Sequence, residues 1–154
     1  EPSQELEIVN QNPVALSNDG EAAFSVRHGS ELFRTALDGS TDTAEIRYSV
    51  GAAAVAANRV LWLGTFAGVI RWEVGTEPVL LEKSVWRGLA LSPTGGVAVS
   101  GRDGTGIWSA EGTLVTTLPA DPHDPPGFAP PAWSADGHRL ATISEAGVVT
   151  VWAL

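Results

Sequence analysis

An all-β repeat fold is what this 154-residue sequence predicts, and three observations predict it. Aromatic residues closing a short strand recur at Phe33, Trp72, Trp108 and Trp152, separated by 39, 36 and 44 residues. A glycine precedes each one, Gly29, Gly68 and Gly104 by four residues and Gly147 by five, and turn signals such as NDG (18–20), PTG (93–95) and ADG (135–137) lie further upstream. Finally, no segment holds a helical apolar period for about 10 residues or more, whereas short β-rich runs alternate with turn residues throughout.

The elements follow in chain order. Residues 1–13 contain ELEIV (5–9), a strand ahead of the first unit. The first unit, 14–49, carries ALSNDGEAAFSVRHGSELF (15–33). The second, 50–84, opens on GAAAVAA (51–57), which aligns with the first strand of the other units; its small side chains suit an innermost strand where space is short. The third unit, 85–127, is the clearest. WRGLALS (86–92), VAVSG (97–101), TGIW (105–108) and TLVTTL (113–118) read as four strands, joined by PTGG, RDG and AEG turns that supply positive φ without steric cost. The fourth, 128–154, repeats three strands and ends at VTVWAL.

Segments 89–118 and 132–152 resemble WD40 repeats of a β-propeller, in which each unit of about 40 residues makes a four-stranded blade. The resemblance covers residues 14–154 and implies four WD40-like blades, the last completed by the N-terminal strand. The repeats are degenerate. The family's opening Gly-His pair is absent, and the Trp is followed by Glu73, Ser109 and Ala153 where the family has Asp. Only the third unit keeps most of the associated polar network, as Ser100, Asp103 and Trp108. Three assemblies stay open: a closed four-bladed ring, half of an eight-bladed ring made by a homodimer, or part of a larger ring completed by another chain.

Composition removes several functions. A net charge of −9 is wrong for a nucleic-acid binder. The lack of Cys excludes disulfides, thiolate metal sites and a Cys nucleophile. There is no membrane-spanning run and no signal-peptide pattern near Glu1, so a cytoplasmic location is expected. The dominance of Arg over Lys, with abundant Ala, Val and Gly, points to a bacterial source. No hydrolase elbow, phosphate loop or dinucleotide motif occurs, and SGRDGTG (100–106) reads as a turn between strands. The expectation is no enzyme, no cofactor and no bound metal.

By the family pattern, the loops between second and third strands share one face with the connections between blades. The candidate partner-binding residues are Arg27, His28, Phe66, Trp86, Arg87, Arg102, Asp103, His123 and Glu145. Trp and Arg are the types enriched at interface hot spots. The proline-rich segment 119–131, which holds Asp121, His123 and Asp124, reads chiefly as a structural surface loop and secondarily as a projecting docking feature. The functional expectation is a protein-binding interaction module. Its alternative is an assembly or regulatory segment of a larger bacterial signalling protein linked to a kinase, protease or NTPase.

Overall fold

The structure is a computed structural model that describes residues 11–17, 20–28, 30–56, 59–83, 86–127 and 129–154. The strand expected at 5–9 lies outside the described residues, as do the side chains of Trp86 and Arg87.

Among the described residues, fifteen strands form four antiparallel sheets in chain order, each a meander. The first holds β1 (Gln11–Leu16), β2 (Ala22–Arg27), β3 (Glu31–Ala36) and β4 (Thr41–Glu45). The second holds β5 (Val50–Ala56), β6 (Val60–Thr65), β7 (Gly68–Glu73) and β8 (Val79–Glu82). The third holds β9 (Trp86–Leu91), β10 (Val97–Gly101), β11 (Gly104–Trp108) and β12 (Leu114–Pro119). The fourth has three strands: β13 (Ala132–Trp133), β14 (Arg139–Ile143) and β15 (Val149–Ala153).

Apolar side chains on alternate positions stack each sheet on the next. Phe24, Val26 and Leu32 of the first sheet meet Leu61, Leu63, Ile70 and Trp72 of the second. Trp62 and Val69 meet Leu89, Val97, Val99 and Trp108. Ala98, Ile107 and Leu118 meet Leu140, Trp133 and Trp152. Trp72, Trp108 and Trp152 thus each face the preceding sheet, and their burial removes large apolar areas from water. The alanine-rich β5 packs on β1 on one side and β9 on the other, which its short side chains permit.

The register corrects one landmark. Trp72, Trp108 and Trp152 pair with Leu61, Val97 and Leu140, the second residue after the turn that opens each hairpin. In the first sheet the corresponding pair is Ala23 with Thr35. Thr35, not Phe33, therefore stands where the other sheets place tryptophan. Phe33 lies two residues upstream on the same side, beneath the Arg27 guanidinium at 5.6 Å from the ring centroid.

The same register explains the glycines. Counting from those pairs, Glu31, Gly68, Gly104 and Val148 occupy one position, opposite Arg27, Thr65, Gly101 and Ser144. In the two middle sheets the outer strand crosses so closely that a Cβ there would land on the Glu82 or Leu118 carbonyl. Glycine is required by that approach. Two-residue turns precede it in these sheets. The two end sheets have three-residue turns, with φ of 49° at His28 and 84° at Gly147, which is why the last glycine sits one residue further from its tryptophan.

The proline-rich connection does not project. Gly127 and Glu145 N–H groups donate to the Ile143 and Pro125 carbonyls at 2.8 and 2.9 Å, and Pro126 bridges Ser144. Residues 125–127 thus run along β14 beyond the end of β13. Pro130 rests on β9: an added Cβ at Gly88 would lie 2.7 Å from Pro130 Cα.

The sheets form an open arc. The far side of the fourth sheet is uncovered, with Val149 and Val151 each 62% exposed. The described residues therefore do not build a closed four-bladed ring.

Candidate functional site

Strands alternate in direction, so successive loops alternate between two faces of the arc. One face, here the upper, carries the β2–β3, β6–β7, β10–β11 and β14–β15 turns together with the connections between sheets. His28, Phe66, Arg102, Asp103 and Glu145 lie in equivalent turns of adjacent sheets and form a row along this face, all exposed. Among the described residues, Phe66 is the most exposed large apolar side chain at 71%. Arg102 has no hydrogen-bond or ion-pair partner among the described residues, in contrast to three structural arginines. Arg34 pairs with Asp42 at 3.1 Å, Arg59 donates to the Val74 carbonyl at 3.2 Å, and Arg71 joins Glu73 while reaching the Ala110 carbonyl of the next sheet at 3.0 Å.

The other candidates separate from this row. Arg27 is exposed but leans on Phe33, on the back of the first sheet. His123 is exposed in the proline-rich connection, its backbone N–H donating to Asp121 Oδ1 at 2.8 Å. The carboxylate of Asp124 accepts the Ala146 N–H at 2.9 Å. Both acids thus hold the loop, and among the described residues no group of three His, Asp or Glu is placed to hold a metal. Trp86 and Arg87 lie at the start of β9. In the third unit Ser100 bonds the Thr105 hydroxyl at 3.0 Å within the sheet.

Sequence reasoning missed a cleft on the lower face, between the third and fourth sheets. It has a volume of about 410 Å³ and is lined by Trp108, Trp133, Ile107, Val115 and Leu154, with Glu111 and Thr94 at its polar side. Trp133 is fixed there by its indole N–H, which donates to the Ala90 carbonyl at 3.1 Å. The sequence signal was the Ala-Trp pair in the first strand of the fourth unit, two strands before the landmark tryptophan.

Lower-face turns are held by carboxylates. The Ser134 hydroxyl and then the His138 N–H hold the Asp136 carboxyl below the usual 3.8. Ser40 acts likewise on Asp38, and the Ser109 hydroxyl on Glu111. A carboxylate with a depressed folded pKa stabilises the fold above its unfolded value, and this contribution is lost as pH falls through the folded pKa. The stability gap between wild type and Asp136→Asn should be present at pH 7 and close as pH drops below about 3.8, as read by urea melts across pH.

No protein-family model matches the chain, and no curated protein matches it in sequence. Solved structures do. The Cps50 (Swd1) β-propeller domain of Myceliophteria thermophila superposes with a TM-score of 0.71 at 11% identity, over 94% of this chain and 54% of that one. BamB from Moraxella catarrhalis superposes with a TM-score of 0.69 at 18% identity, over 91% of this chain and 45% of that one. The chain spans about half the length of these matched structures. With its stacked four-stranded meanders and WD40-like repeats, it has the β-propeller fold.

Proposed function

We propose that this chain is a non-catalytic interaction module that binds a protein partner through the upper-face row of turns. One observation carries the reading: Phe66, a large aromatic, stands 71% exposed at a turn tip, with Arg102 in the equivalent turn of the next sheet. Aromatic and arginine side chains are the types that carry most binding energy at protein interfaces, and this pair is exposed on one face. The propeller supplies rigid strands that hold the turns at fixed spacing.

A second reading is an assembly or regulatory segment of a larger bacterial signalling protein. It is favoured by the share of the matched propellers that the chain spans. Fold alone does not choose between them.

The test is a double variant, Phe66→Ala with Arg102→Ala. Both side chains are exposed, so the melting temperature should hold while recovery of the protein partner by affinity purification falls at least about tenfold, the scale set by hot-spot losses. Undiminished recovery with intact folding would remove the upper-face assignment.

A further inference from the structure

Each of the first three sheets turns a pair of residues toward the next sheet at the same register step. The pairs are Phe24 opposite Arg34, Trp62 opposite Arg71, and Ala98 opposite Ile107. The first two combine an aromatic with an arginine, and the third has neither. The lower-face cleft of about 410 Å³ lies on that thinned side, between the third and fourth sheets. The corresponding cleft between the second and third sheets, lined by Arg71, Ala110 and Glu111 among others, measures about 230 Å³.

Arg71 shows what such a cleft takes. Its Nε donates to the Ala110 carbonyl across the sheet junction at 3.0 Å, and its two terminal nitrogens donate to Glu73 Oε2 at 3.2 and 3.1 Å. Its stem passes over the next lower-face turn, where an added Cβ at Gly112 would lie 3.2 Å from Arg71 Cδ. In the following cleft the equivalent residue, Ile107, carries no such donor. The walls there are Ile107, Val115 and the half-buried Trp133, whose indole is held by the Ala90 carbonyl. Ser109, Thr94 and Glu111 line the polar side, and no Lys, Arg or His lines the cleft. Among the described residues Glu111 makes no ion pair, and the Ser109 hydroxyl favours its charged form. Both walls come from within the chain, β10–β12 on one side and β13 on the other.

We propose that this cleft binds an arginine side chain of a protein partner, in the manner in which Arg71 occupies the preceding cleft. The apolar stem lies along Val115 and Trp133, where the indole face favours a cation, and the forked donors meet Glu111. The net charge of −9 draws a basic segment toward the surface. The site is on the lower face, so Phe66 and Arg102 take no part in it.

The probe is the tripeptide acetyl-Gly-Arg-Gly-amide, titrated into the chain and followed by the NMR signal of the Trp133 indole N–H, identified by its absence in Trp133→Phe. The signal should shift saturably with a dissociation constant of about a millimolar, the scale of one side chain. Replacing the arginine by its neutral isostere citrulline, or Glu111 by Gln, should weaken binding at least about fivefold. A lysine tripeptide should also bind more weakly, because it lacks the planar fork. Ile107→Arg restores the chain's own guanidinium at the Arg71 position and should reduce peptide binding at least about tenfold. Val115→Arg does the same from a position 64% exposed, should the first variant not fold. No saturable shift, or citrulline or lysine peptides that bind as tightly as arginine, would overturn the proposal. So would undiminished binding in Glu111→Gln or in a folded arginine variant. Phe66→Ala with Arg102→Ala should leave the titration unchanged. A loss there would place the peptide on the upper face and overturn the lower-face site, whereas failure of the peptide to bind leaves the upper-face reading to its own test.

Discussion

Gly68→Ala should cost roughly 3 kcal/mol or more and free the outer strand of the second sheet. Two effects combine at this residue. Its φ of +151° is a conformation L side chains rarely adopt, and an added Cβ would land on the Glu82 carbonyl, with Leu80 Cδ1 2.8 Å away. The obstacle is mostly backbone, so no rotamer change relieves it. The strand β8 must move away from β7, breaking the pairs of Val69 with Glu82 and Ile70 with Leu80. Amide exchange over Val79–Glu82 should accelerate more than at any position in the third sheet. Gly147→Ala is the control. Gly147 also has a positive φ of +84°, but nothing lies within 4 Å of its added Cβ, so only the conformational cost of about 1–2 kcal/mol should appear. Equal losses in the two variants would mean that the close approach of β8 does not require glycine.

Trp72→Ala should be the most damaging core truncation, at about 3–5 kcal/mol. The indole is buried between the first and second sheets. It meets Phe24 edge-on with ring centroids 6.1 Å apart, and its N–H donates to the Thr76 carbonyl at 3.1 Å. Alanine leaves a cavity at the sheet junction and strands the carbonyl that closes the β7–β8 turn. For a chain of this size the melting temperature should fall by about 10 °C or more. Trp152→Ala should cost less, because Trp152 is only half-buried, and its hydrogen bond goes to the Thr142 side chain at 2.9 Å. A melt in which the two variants lose equal stability would contradict this ranking.

The repeat was legible because turn glycines and inward tryptophans are imposed by local geometry. Gly68 and Gly104 announce a carbonyl at contact distance, and Trp72 and Trp108 announce a neighbouring sheet. Phe33 misled for a physical reason: an aromatic two residues along a strand points to the same side, so spacing alone cannot separate it from Thr35. The upper-face row was readable from topology, since alternate loops share a face. The lower-face cleft was not. It depends on how far Trp133 and Val115 stand apart across two sheets, a distance set by packing and invisible in either segment. The proline-rich connection was legible as a structural loop, but its attachment was not: Pro125 and Pro126 serve through a carbonyl acceptor and a bridge, neither of which needs the N–H that proline lacks.

Val148 has a bearing on how the fourth sheet accepts an added edge strand. A side chain stands where Gly68 and Gly104 admit a crossing carbonyl, so a strand laid beside β15 cannot approach there as closely as β8 and β12 approach their neighbours. The first sheet supplies the other solution: Glu31 and Glu45 face each other in an unbroken ladder that runs from Thr35 with Thr41. An edge strand added to the fourth sheet would therefore meet a side chain at this position, as β4 does at Glu31, and not the bare backbone that Gly68 and Gly104 offer.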